Sequence, residues 1–156
     1  MANLIGSAKN DSLTGTDDPD AIFGDPFTTG AAAGGFPGFP DLGVLAAGKG
    51  GNDTLEGGGG DDDLYGDGIR SDSAVGGADV FVFAPGSGLD TIFDFEQGKD
   101  GMDVRDYGAQ SVADLAIASS GGHSIIDLDG AAVDGVGNEV TVLAIQTVFS
   151  SDFIFA

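Results

Sequence analysis

The sequence predicts an all-β protein in which a coil of very short strands is closed by an ordinary β region. Three observations predict it. A nine-residue pattern with Gly first, Asp sixth and an apolar residue eighth recurs through the N-terminal half. Glycine supplies 29 of the 156 residues, and 23 of the 26 acids are Asp, a residue of turns and oxygen-rich loops rather than of long helices. After Ala78 the texture changes to strand-forming runs separated by Gly, Pro and Ser turns.

Taken in order, the pattern reads GSAKNDSLT (6–14), GTDDPDAIF (15–23), GKGGNDTLE (48–56) and GGGGDDDLY (57–65). Two weaker copies follow, GDGIRSDSAV (66–75), with one extra residue, and GGADVFV (76–82), shortened in its turn. The sixth-position acids are Asp11, Asp20, Asp53, Asp62, Asp72 and Asp79; the eighth-position apolar residues are Leu13, Ile22, Leu55, Leu64, Ala74 and Phe81. Six turn residues followed by three extended ones, with one apolar side chain inward, describe a half-coil, and two half-coils make one turn of a solenoid. Glycine is needed because the turns visit positive φ and bring backbone carbonyls inward. Stacked turns then gather Asp carboxylates and carbonyl oxygens around common points, an all-oxygen setting suited to a hard cation of calcium's size.

Residues 25–47 interrupt the period and read as an inserted loop, with Phe27, Phe36 and Phe39 packing locally or serving recognition. We place a domain boundary after residue 84, with a β cap over 85–156. The cap's expected strands are 91–95, 115–119, 124–128, 139–145 and 153–155, with a short capped helical turn from Ser111 to Asp114. Phe81, Phe83, Phe93, Phe95, Phe149, Phe153 and Phe155 are expected in the core, and their alternation fits a buried strand face.

Composition excludes several functions. A formal charge of −21 from 26 acids and 5 bases argues against nucleic acid as a partner. The chain has no Cys, which removes disulfides, thiolate catalysis and Cys-based zinc sites. It has one His, His123, so no multi-His metal site is available, and no GxSxG element surrounds any Ser. No run reaches the roughly 18 apolar residues of a membrane span, and the first residues do not form a secretory leader. The expectation is a soluble protein without a catalytic centre, exported, if at all, by another signal; the initial Met and the form of the terminus suggest a complete small protein.

The copies GKGGNDTLE and GGGGDDDLY closely resemble the RTX (repeats-in-toxin, hemolysin-type) calcium-binding nonapeptide GGxGxDxUx. The tract from Gly76 to Val104 is similar to the region that follows such repeats in secreted proteases of the serralysin type, and Ser151 to Ala156 resembles an acid-then-apolar type I secretion signal. The resemblance implies a right-handed parallel β-roll capped by a sandwich-like β region, binding several Ca²⁺ ions, about three to five. It implies carboxylate ligands at Asp53, Asp62, Asp72 and Asp79, with Asp11 and Asp20 in copies that lack the fourth-position glycine. It also implies backbone ligands at Gly48, Gly50, Gly57, Gly59, Gly66 and Gly68. The facing pairs it implies are Asp53 with Asp72, Asp62 with Asp79, and Asp20 with Asp53. Asp90, Asp94, Asp100 and Asp103 are further candidates beyond the repeats.

Physically, stacked carboxylates repel one another, and a glycine-rich acidic chain cannot offset its conformational entropy alone. Calcium binding would therefore drive folding, so the chain would stay unfolded in the cytosol, pass the type I secretion machinery, and fold in the extracellular medium. The alternative is a calcium-dependent module for extracellular polysaccharide or a cell surface, like the R-modules of alginate epimerases. Lys49, Arg70, Lys99 and Arg105 would then contact the polymer.

Overall fold

The computed structural model describes residues 3–5, 12–16, 21–23, 51–67, 77–130, 133, 135 and 137–156. Eight short strands come first: β1 (Asn3–Ile5), β2 (Ser12–Thr14), β3 (Ala21–Phe23), β4 (Thr54–Glu56), β5 (Asp63–Tyr65), β6 (Val80–Val82), β7 (Leu89–Ile92) and β8 (Gly101–Asp103). They alternate between two sheets. The odd-numbered strands pair in parallel in the order β1-β3-β5-β7, and the even-numbered ones in the order β2-β4-β6-β8. This is a parallel β-roll.

Register follows the eighth-position residues. Leu13, Leu55, Phe81 and Met102 align across one sheet, and Ile22, Leu64 and Ile92 across the other. Leu55, Leu64, Phe81, Ile92 and Met102 are fully buried in one hydrophobic cluster that both sheets share. Their neighbours along each strand face outward, so a slip of one residue would turn the whole apolar row to water. Three-residue strands suffice because each needs only one inward side chain.

Most of the expected copy at 66–75 lies outside the described residues. Its strand was expected between β4 and β6, and those two strands pair directly, Thr54 with Val80. Two other half-coils were overlooked. PGSGLDTIF (85–93) contains β7, with Asp90 sixth and Ile92 eighth. EQGKDGM (96–102) leads into β8, with Asp100 and Met102 in the same places.

Four more strands continue the same two sheets. β11 (Glu139–Val142) adds in parallel to β7, and β10 (His123–Asp127) and β9 (Ala116–Ser120) follow it antiparallel. Gly121 and Gly122, with φ of 61° and 90°, make the tight turn between β9 and β10. On the other sheet β12 (Phe153–Ile154) pairs in parallel with β8. Residue 84 interrupts neither sheet. The turn at Ser111 is present as a single 3-10 turn, Val112–Asp114, held by the Asp114 carboxylate, which accepts the Ser111 N–H at 3.0 Å.

Two of the expected core aromatics differ. Phe149 is 56% exposed at the start of a 3-10 turn. Phe93 follows the inward Ile92, so it turns outward, where its ring stacks on Tyr65 at 4.4 Å. Truncating a roll residue tests the shared core: Leu64→Ala is expected to cost about 2–5 kcal/mol in denaturant unfolding. An unchanged midpoint would show that Leu64 does not sit between the sheets.

Candidate metal-binding edges

The turns between strands stack along two edges of the roll. One edge carries the turns that enter the β4-β6-β8 sheet, ending in Asp53, Asp79 and Asp100. The other carries turns that enter the β5-β7 sheet, ending in Asp62 and at Asp90. Fourth-position glycines make the stacking possible. A Cβ on Gly77 would collide with the Gly51 carbonyl, and one on Gly88, at φ +97°, with the Gly60 carbonyl. Each carbonyl thus lies directly against the next turn on its edge.

This close approach threads the acids into ladders. The Asp53 N–H donates to Asp79 Oδ1 at 2.8 Å, and the Asp79 N–H donates to Asp100 Oδ1 at 3.0 Å. On the opposite edge the Asp62 N–H donates to Asp90 Oδ1 at 3.1 Å. The neighbours are therefore Asp53 with Asp79 and Asp62 with Asp90, which corrects the expected pairing of Asp62 with Asp79. Asp79 stands beside Asp53 because β6 pairs directly with β4. Asp72, Asp20, Asp11, Gly48, Gly50 and Gly68 lie outside the described residues, and so do the pairs that include them.

Asp53, Asp62, Asp79 and Asp90 are at most 2% exposed. The second oxygens of Asp79 and Asp90 accept no hydrogen bond among the described residues. Burial first, then the like charges of Asp100, Asp67 and Asp53, push Asp79 up to about 8, although the Asp53 N–H works the other way. Burial, with Asp62 and Asp61 nearby, pushes Asp90 up to about 8 as well. Gly57 and Gly66 leave the room these carboxylates occupy, since a Cβ on Gly57 would strike Asp62 Oδ2 and one on Gly66 would strike Asp79 Oδ2. Gly59 has a structural bond instead, its N–H donating to the Thr16 carbonyl at 2.8 Å.

The other candidates are engaged differently. Asp94 accepts the N–H groups of Gly66 and Asp67 at 2.9 and 3.0 Å, which fastens one turn to the next. Asp100 accepts from Asp79 and from Glu96, the latter at 2.8 Å. Asp103 is paired with the Arg105 guanidinium at 2.6 and 2.9 Å, which lowers its pKa. Lys99 pairs with Glu96. His123 accepts the Ala144 N–H at Nδ1, 2.9 Å away.

Among the described residues no group of three or more His, Asp or Glu side chains converges as a ready ligand set. The arrangement offers something else: buried carboxylates stacked along each edge with carbonyls against them, all hard oxygen donors. That donor chemistry fits Ca²⁺.

A model of the RTX calcium-binding nonapeptide repeat matches four copies, over residues 3–27 and 45–68. No curated protein matches the chain. Among solved structures, the AlgE6R2 subunit of the Azotobacter vinelandii mannuronan C5-epimerase is similar at 22% identity, with a TM-score of 0.52 over 98% of this chain and 92% of that one. The extracellular lipase LipA of Serratia marcescens matches at 15% identity and a TM-score of 0.44, over 99% of this chain and 40% of that one. Repeat and fold agree: residues 3–27 and 45–68 match RTX calcium-binding nonapeptide repeats, and the chain is wound as a parallel β-roll.

Proposed function

We propose that calcium held along both edges drives this chain to fold, that it is exported unfolded through type I secretion, and that it acts outside the cell without a catalytic centre of its own. The observation that carries the reading is the pair of buried carboxylate oxygens, Oδ2 of Asp79 and of Asp90, left without a hydrogen bond among the described residues. Bound Ca²⁺ would supply the missing positive charge. Asp53, Asp62, Asp79 and Asp90 would hold it, with the Gly51 and Gly60 carbonyls beside them. Because the unfolded chain does not bring these groups together, the free energy of binding becomes free energy of folding.

Export before folding is supported by the terminus. Asp152 and Phe153 are buried, and β12 lies against β8. A signal at Ser151–Ala156 would be readable only while the roll is unfolded. Polysaccharide binding has the epimerase subunit's fold in its favour, but Lys99 and Arg105 are engaged by Glu96 and Asp103. Two of the four bases that would grip an acidic polymer are thus already paired.

Chelation should abolish the β signal in circular dichroism, and returning calcium should restore it; an unchanged spectrum would reject calcium-driven folding. Asp79→Asn and Asp90→Asn should each raise the calcium midpoint of folding by about tenfold or more, since carboxylate count tunes such affinities. An Asp90→Asn midpoint equal to wild type would remove Asp90 from the ligand set.

Protons should act as weak substitutes. Asp79 and Asp90 lie near 8 in the metal-free fold against 3.8 ordinarily. Their protonation stabilises that fold fully below the ordinary value, and the contribution is lost as pH rises through about 8. Chelated protein should therefore retain more β structure near about pH 5 than near about pH 8. In calcium the difference should shrink or reverse, because protons compete with the metal for the same oxygens. Circular dichroism at both pH values, with and without chelator, measures it.

A further inference from the structure

The longer sheet ends in a strand that has a neighbour on one side only. β9 closes the order β1-β3-β5-β7-β11-β10-β9, and among the described residues no strand pairs with its outer edge. With β10 it shares the greatest length of any strand described, five residues against two or three for the other edge strands, β1, β2 and β12. Long open edges are usually guarded by charge, proline or a bulge. β9 has none of these: the stretch Leu115–Ile126 contains no acid, no Lys or Arg and no Pro, in a chain of charge −21.

The hairpin fixes which groups look outward. The two-residue turn at Gly121–Gly122 makes Ser120 and His123 a hydrogen-bonded pair, so Ala118 and Ala116 also bond toward β10. The N–H and C=O of Ile117 and Ser119 therefore lie along the free edge. Apolar surface gathers at the same end. Of the three large apolar side chains most exposed, Ile117 is on β9, and Phe149 is on a segment fastened to β9 by the Ser119 hydroxyl, which donates to the Gln146 carbonyl at 2.6 Å.

We propose that β9 is a self-association edge, and that a second copy of this chain pairs with it antiparallel about a two-fold axis at Ala118. A two-fold edge sets each residue against its own kind or a near neighbour, so any charge there would meet a like charge. In so acidic a molecule an uncharged edge meets that condition. Ile117 of one copy then exchanges two backbone hydrogen bonds with Ser119 of the other, and Ala118 faces Ala118 as a close, non-bonded pair. The two seven-stranded sheets become one, which closes the open edge of both.

Sedimentation of the calcium-loaded full chain over a range of concentrations tests the assembly. A mass twofold that of the chain is expected, with return to the single-chain mass in Ile117→Asp while circular dichroism stays unchanged. A wild type that remains single at every concentration, or an Ile117→Asp variant as dimeric as wild type, would overturn the proposal. The chain has no Cys, which permits a second test independent of the first variant's folding. Ala118→Cys should form an intermolecular disulfide at least about tenfold faster than a cysteine at the exposed Ala113, since Cβ atoms of a close antiparallel pair stand within bridging distance. Equal rates at the two positions would overturn the two-fold register.

Discussion

Carboxylates are stacked in register where water cannot reach them. Asp53 and Asp79 on one edge, and Asp62 and Asp90 on the other, sit at the junction of turn and strand. Each upper backbone N–H takes one oxygen of the acid below. That bond sets the spacing of the turns, but it leaves Asp79 and Asp90 each with a buried oxygen unsatisfied. Such a group costs about 1–3 kcal/mol even when uncharged, and more as an ion. The roll's three-residue strands offer one buried side chain apiece against it. The proposed cation would meet that cost, and the glycines that let carbonyls approach the turns would leave oxygen donors beside it.

Much of this arrangement was legible in the sequence, because glycine, aspartate and an apolar residue at fixed places carry a physical requirement each. The strands β4 and β5, their inward Leu55 and Leu64, and the buried Asp53 and Asp62 follow directly from GKGGNDTLE and GGGGDDDLY. PGSGLDTIF and EQGKDGM lack the opening glycine that marks the other copies, yet they carry Ile92 and Met102 at the inward place and wind onto the roll. Once Ile92 and Met102 are admitted as rungs, Asp90 and Asp100 fall into the ladders without further assumption.

Other roles depended on contacts that no pattern announces. Asp94 and Asp103 are acids of the same region as Asp90, yet one is consumed by two backbone N–H groups and the other by Arg105. Phe149 belongs to a run of apolar residues near the terminus, but the 3-10 turn that begins there directs it outward while Val148 and Phe153 are buried. Asp94 is decided by backbone groups distant in sequence and Asp103 by the guanidinium two residues on, and local composition distinguishes neither from Asp90.

The need for a cation also changes along the molecule. At the central rungs, Asp79 and Asp90 each keep an unsatisfied oxygen. One rung later Asp100 has both oxygens bonded to N–H groups, Asp94 likewise, and Lys99 stands beside Glu96 within the field of Asp67 and Asp100. Beyond that Asp103 is paired with Arg105 and Asp114 is bound at its own turn, while Asp152 keeps one buried oxygen unsatisfied among the described residues. The hydrophobic cluster does not divide at this transition: Phe81, Ile92 and Met102 of the roll pack in one core with Ile126, Val140 and Phe153 of the later strands. The chain therefore joins a first portion of stacked, buried carboxylates to a second with an apolar interior, through sheets common to both. The interior of the second gives the first rungs of the roll a surface to stack upon, and that continuity explains why the two parts share strands instead of meeting across a linker.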